Sequence, residues 1–252
     1  MVLCDVRFSP VLTMENHIAA IQDVLRRTGY PGYDRAAMQQ LEFLTDGPPK
    51  FSTDMRWFFR SKDRKRVASL STSSVTLQVT DYSQFEFFLA ALEPVISAVQ
   101  DTVQPAFHER VGLRYVNAVE NAGRNLDRLF RETVLSFTAE ELGVSSLLTA
   151  QQAIGTTESG QIVLRMNQVE NTPLLPLDLI SQEFPELSRP REGVHALLDI
   201  DGSTTEHGEF SFRDIEARLW SIHDYTERGF WKSTTSTAHK EWGLVDDDKG
   251  VK

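Results

Sequence analysis

Twice along the chain, segments that alternate apolar and polar residues are followed by a capped, amphipathic stretch of about five helical turns. The first set is Val67–Thr72 and Val75–Thr80, then a stretch whose apolar positions are Phe85, Phe88, Leu89, Leu92, Val95, Ile96 and Val99. The second is Gln152–Thr157, Gln161–Asn167 and Val194–Asp201, then Phe212, Ile215, Leu219 and Ile222, extending towards Phe230. Period-2 alternation demands a sheet with one covered face, and the 3.6-residue stripes supply a cover. The expected class is therefore α+β, a mainly antiparallel sheet with long amphipathic helices packed on one face. The repetition suggests two similar halves, residues 1–120 and 121–252, within one compact unit.

Smaller signals fill in this outline. Val2, Cys4, Val6 and Phe8 alternate as a strand, and Thr13 is placed to cap a helix running to Arg27 with Ile18, Ile21, Val24 and Leu25 as its stripe. Gly29-Tyr30-Pro31-Gly32 stops it. A short second helix is expected over Arg35–Leu44, ended by Gly47-Pro48-Pro49. Met55–Arg60 alternates Trp57 and Phe59 against its polar residues, and Ser61-Lys62-Asp63-Arg64 reads as a charged turn. Ser83 and Glu86 spell a capping box, and Pro94 is expected to kink or divide the helix it opens. Residues 125–150 read as mostly helical and connecting. The segment 171–192 carries Pro173, Pro176, Pro185 and Pro190 and reads as a long loop, and Ser211 with Asp214 caps the last long helix. The tail from Asp246 to Lys252 reads as solvated and frayed.

Charge restricts the function classes. With 26 Lys and Arg against 36 Asp and Glu, the formal net charge is -10. Binding to nucleic acid or to an anionic membrane needs a basic footprint, which this balance opposes. The single cysteine, Cys4, excludes an intramolecular disulfide and a multi-cysteine zinc site. No window approaches the ~20 apolar residues of a membrane span, and MVLCDVRFSP lacks the basic start and apolar core of a signal peptide. The expected location is the cytoplasm.

The densest candidate site is Arg110-Val-Gly-Leu-Arg-Tyr-Val-Asn117. As a strand it sets Arg110, Gly112 and Arg114 on one face and Val111, Leu113 and Tyr115 on the other. The two arginines then lie about 13 Å apart, too far to clamp one small anion but suited to an elongated acidic ligand or two carboxylates. Gly112 leaves room for close approach to the backbone. Either the arginines hold an anionic ligand, with Tyr115 and Asn117 beside them and Arg7 or Arg56 assisting, or they tie the fold together through ion pairs. The natural counterpart is His195-Ala-Leu-Leu-Asp199-Ile-Asp201, whose alternation places His195, Asp199 and Asp201 together and makes a pairing with Arg110 or Arg114 expected.

Asp199 and Asp201 are weak metal candidates, since D-x-D also suits a plain turn. His223-Asp224 resembles a phosphohydrolase dyad only superficially. Neighbours on a helix diverge by roughly 100°, so a helix-surface histidine beside a solvated aspartate is the expected arrangement. Phe230, Trp231 and Trp242 read as core. The chain carries no G-x-S-x-G, G-x-x-x-x-G-K-[ST], G-x-G-x-x-G or H-E-x-x-H motif.

Val6-Arg7-Phe8, the R-x-G-L-R-Y-x-N segment Arg110–Asn117, and the His223-Asp224…Phe230…Trp242-Gly243 end together resemble an uncharacterised family of about 250 residues, scattered among bacteria and archaea. That patchy distribution implies a mobile defence or toxin–antitoxin setting. The expected function is thus a non-enzymatic ligand- or protein-binding component, with no catalytic residue and no cofactor. Its expected partners are a protein encoded by a neighbouring gene and a small anionic ligand, and a homodimer is a further expectation. The alternative is a metal-dependent enzyme acting on a nucleotide or phosphorylated small molecule, with Asp199, Asp201 and His223 holding the metal or acting as acid and base.

Overall fold

The computed structural model describes residues 1–42, 50–123, 126–135, 139–145 and 147–244. The expected stop at Gly47-Pro48-Pro49 and the expected frayed tail lie outside these residues. The chain divides into two compact units, residues 1–113 with 203–222, and residues 114–202 with 223–252.

The first unit begins with β1 (Val2–Phe8), in which Val2, Cys4, Val6 and Phe8 are buried as their alternation requires. Burial, with Asp5 beside it, pushes the Cys4 thiol far above its usual range, so it stays protonated and inert. In α1 (Met14–Leu25), Met14, Ile18, Ile21 and Leu25 face inward, whereas Val24 is exposed. The chain then turns through Gly29, whose φ is +112°. Tyr30 donates to the Ala91 carbonyl at 2.8 Å, and its burial pushes the phenol up to about 12.

Next come β2 (Gly32–Glu42), β3 (Lys50–Arg60), β4 (Arg66–Leu70), β5 (Ser74–Val79) and α2 (Phe85–Thr102). The hydrogen-bonded order is β2-β3-β4-β5-β1-β6, where β6 is Phe107–Val119, and β10 (Gly208–Glu209) adds to β6. Register explains the core. Cys4 pairs with Leu77 and Val6 with Val75, which aligns the buried faces of β1 and β5.

The second unit holds the end of β6, then β7 (Leu148–Thr156), β8 (Gly160–Glu170), the four-residue α3 (Pro185–Ser188), most of β9 (Val194–Thr204), the end of α4 (Phe212–Ser233) and α5 (Ser236–Glu241). Its strand order is β6-β9-β8-β7. Every residue of β9 from His195 to Ile200 is buried. Leu126, Leu129, Phe130, Met166, Ala196, Leu198, Ile200 and Ala238 form the core, against which Phe230 and Trp242 pack.

The expected class requires correction. The chain is not an α+β protein with long helices packed on one sheet face. Its described residues form a mostly antiparallel sheet of ten strands with few helices, α1, α3 and α5 having 12, 4 and 6 residues. Two stretches read as helix account for much of the difference. Residues 35–42 belong to β2, paired residue for residue with β3 from Gly32↔Arg60 to Glu42↔Lys50. A complete ladder to β3 outweighs the modest helix preference of Arg35-Ala-Ala-Met. Within 125–150, the described residues form two short 3-10 turns and the start of β7.

Two local expectations also change. α2 starts at Phe85, one residue later than an S-x-x-E box requires, with Gln84 at the cap and no side-chain cap bond. Pro94 lies within α2 and does not divide it. The carbonyl that loses its donor belongs to Ala90, on the exposed side of the helix, where water can replace it. By contrast, Ser211 Oγ accepts from the Asp214 amide at 3.4 Å, as a cap of α4 should. No helix among the described residues is long and apolar enough to cross a membrane.

Candidate functional site

In the second unit, consecutive strands each contribute one group to a polar row. Arg114 stands on β6, Asp199 on β9, Arg165 on β8 and Gln152 on β7. Arg114 Nε and Nη2 donate to the two Asp199 oxygens at 2.7 and 2.8 Å. Arg165 Nη1 donates to Asp199 Oδ2 at 3.1 Å, and its Nε to Gln152 Oε1 at 2.9 Å. Asp199 is fully buried. A buried carboxylate persists only when it is paired and hydrogen-bonded, and two guanidiniums satisfy it here.

A second carboxylate comes from outside the sheet. Asp178, on a 3-10 turn over Leu177–Leu179, accepts from Arg114 Nη1 at 2.6 Å and Nη2 at 3.2 Å. Burial opposes the Arg114 charge, but hydrogen bonds to Asp199 and Asp178 outweigh it and hold the guanidinium protonated. The Arg114 hydrogen bonds hold the Asp178 carboxyl below the usual carboxylate range. The expected pairing of Arg114 with Asp199 is therefore present. Arg165 and Asp178 carried no sequence signal that marked them as participants.

Arg110 engages a different carboxylate. Its Nη1 donates to Asp5 Oδ2 at 3.3 Å, and Arg7 Nε reaches the same oxygen at 3.1 Å. Gly112 serves this arrangement rather than the approach of a ligand. A Cβ there would lie 2.6 Å from Arg110 Nη1, so the guanidinium folds back over the glycine. Because that guanidinium can swing away, and a partly exposed ion pair contributes little, Gly112→Ala is expected to change stability by less than about 1 kcal/mol. Urea unfolding checks this, and a larger loss would mean that the Arg110 position is fixed.

Tyr115 lies across β6 from Arg114, its hydroxyl 3.0 Å from His223 Nδ1 on α4. Asn117 Nδ2 donates to the Leu198 carbonyl at 3.4 Å. His223 is half-buried and Asp224 exposed, as their divergence on a helix requires. His195 Nδ1 accepts from the Asn121 amide at 3.2 Å and Nε2 donates to the Arg191 carbonyl at 3.0 Å, so both ring nitrogens serve the fold. Asp201 is half-buried. Among the described residues, no three His, Cys, Asp or Glu side chains group so as to hold a metal.

Sequence reasoning missed a cluster in the first unit. His108 Nε2 lies 2.6 Å from Asp214 Oδ2, and Arg218 Nε donates to the same oxygen at 2.9 Å. Fully buried His108 leaves Nδ1 without a hydrogen-bond partner among the described residues. An imidazolium there would bury an unpaired N–H, so the neutral form with Nε2 as donor fits. Burial accordingly lowers the His108 pKa despite the Asp214 hydrogen bond. For Asp214 burial works upward, but the bonds from His108 and Arg218 outweigh it and the pKa falls. The partners lie 106 positions apart, and Asp214 reads in sequence as the capping partner of Ser211 at the start of a helix.

Both shifts act in the same direction with pH. Below about pH 6.5 the unfolded chain takes up a proton at His108 that the native state refuses, so stability falls. The Asp214 contribution is present above about pH 3.8 and is lost as pH drops through its lowered value. Urea unfolding at pH 7, 6 and 5 is expected to show a steeper loss for the native sequence than for His108→Gln. Equal slopes would overturn the neutral assignment.

No protein-family model matches the chain, and no curated protein matches it. Among solved structures, the di-domain ARO/CYC StfQ from the steffimycin biosynthetic pathway aligns over 96% of this chain and 99% of its own, at 11% identity and a TM-score of 0.18.

Proposed function

We propose that the protein is a non-enzymatic binding component that recognises an acidic group at Arg114 and works in the cytoplasm with the product of a neighbouring gene, in a bacterial defence or toxin–antitoxin module. One observation carries the recognition element. Arg114 turns one edge of its guanidinium to a fully buried carboxylate and the other to a solvent-exposed one, Asp178. A planar donor fork that reaches both the interior and the surface is suited to receive a carboxylate from outside. A metal-dependent enzyme has less support, because a cation beside Asp199 would sit against two guanidiniums.

The test is co-expression of the full chain with the product of the adjacent gene. The two are expected to co-elute in size-exclusion chromatography. Failure to co-elute, or metal-dependent turnover of nucleotides by the purified chain, overturns the proposal.

A further inference from the structure

Asp178 and Asp199 bind the same guanidinium but differ in every other respect. Asp199 is 0% exposed and belongs to a strand buried along six consecutive residues, whereas the Asp178 side chain is 64% exposed. Asp199 takes the Nε–Nη2 edge of Arg114 and Asp178 the Nη1–Nη2 edge. Without Asp178, Arg114 and Arg165 share the single charge of Asp199, which leaves one positive charge in excess where Arg114 is only 10% exposed.

The segment that carries Asp178 buries its ends and leaves its middle exposed. Leu174, Leu175 and Phe184 are buried and fix its ends. Between them the turn Leu177–Leu179 has no buried residue, and Leu177 is 86% exposed. Ile180 is also exposed. Lifting the turn from Arg114 therefore uncovers little apolar surface and breaks the bidentate Asp178 ion pair, while displacing the far end of the strap also breaks the two hydrogen bonds between Ser181 and Ser188.

We infer that Asp178 is an internal stand-in for a ligand carboxylate, and that the Arg114–Arg165 site beneath it binds carboxylate-bearing ligands once the 176–183 strap is displaced. This rests on the reading of the protein as a binding component at Arg114 and adds the ligand's chemistry and its built-in competitor. The strap's own sequence, Leu177-Asp178-Leu179, is an acidic residue flanked by apolar ones and sets the pattern expected of a competing protein segment. The carboxylate can belong to a free small molecule or to a protein segment, and the experiment separates these sources.

The variant is Asp178→Ala in the full chain, with Asp178→Asn as an isosteric second variant should the first fold poorly. Its melting temperature is expected to fall by about 2–4 °C and to recover saturably with sodium acetate but not with sodium chloride at equal ionic strength. The blocked peptide Leu-Asp-Leu, which copies residues 177–179, is expected to bind the variant at least about ten-fold more tightly than the native sequence, whose own carboxylate competes at high effective concentration. Acetate rescue with no preference for Leu-Asp-Leu over Leu-Asn-Leu assigns the site to small carboxylates. Tighter binding of Leu-Asp-Leu than of acetate assigns it to protein segments. If neither acetate nor Leu-Asp-Leu stabilises either variant beyond chloride, the inference is overturned, while co-elution with the neighbouring gene product would still support the broader reading. Carboxylate binding without co-elution would do the reverse.

Discussion

Asp199→Ala is expected to destabilise the protein by about 3–5 kcal/mol, the largest effect of any single change at the site. The substitution removes the acceptor of Arg114 Nε, one of the two acceptors of Nη2 and the acceptor of Arg165 Nη1. Arg114 would remain nine-tenths buried, with only the exposed Asp178 as counter-charge. Removing one member of a buried ion group strands the others, which costs more than the group itself contributes. Replacing the whole group by apolar residues of similar volume should cost far less. The combination Arg114→Met, Arg165→Met and Asp199→Leu is therefore expected to recover most of the loss. Urea unfolding of both variants tests the argument. A loss below about 1 kcal/mol for Asp199→Ala would show that water reaches the buried carboxylate and that the row is not a closed network.

Gly208→Ala follows, with an expected loss of about 2–3 kcal/mol. A Cβ at this position would lie 2.3 Å from Asp214 Oδ2, 2.5 Å from His108 Nε2 and 2.8 Å from Arg218 Nη2. Unlike the arginine over Gly112, these groups cannot swing clear. His108 is fully buried, and Asp214 is held by both His108 and Arg218. Gly208 itself is paired to His108 in the two-residue ladder of β10 on β6. Relief comes only by breaking that ladder or the His108–Asp214 bond. Denaturant unfolding gives the loss, and NMR titration is expected to show His108 moving towards its ordinary pKa as the cluster opens. A change within about 0.5 kcal/mol would mean that β10 shifts freely and does not fasten the cluster.

How much of this was legible in the sequence depended on where each constraint resides. β1 and β5 announce themselves because every second side chain is buried, and period-2 alternation records it. β2 does not, because its side chains up to Met38 are largely exposed, so its composition stays free to resemble a helix. What makes it a strand is β3, and a pairing partner leaves no mark on the paired segment alone. The Arg114–Asp199 contact was open to inference from parity, since each residue has a fixed face on its strand. Asp178 was not, because an irregular proline-rich segment has no period from which to read a direction. His108 and Asp214 were equally silent, each having an adequate local explanation.

The burial of Cys4 has a practical consequence. It is the single cysteine of the chain, and its protonated, enclosed thiol is closed to thiol reagents in the native state. The natural sequence is thus already a background for site-specific chemistry, with nothing to remove before a probe is added. A cysteine placed at Leu177, at the exposed crest of the strap, would be the sole position to take a spin label or fluorophore. The protein's least reactive side chain leaves its most interesting segment free to be watched in real time.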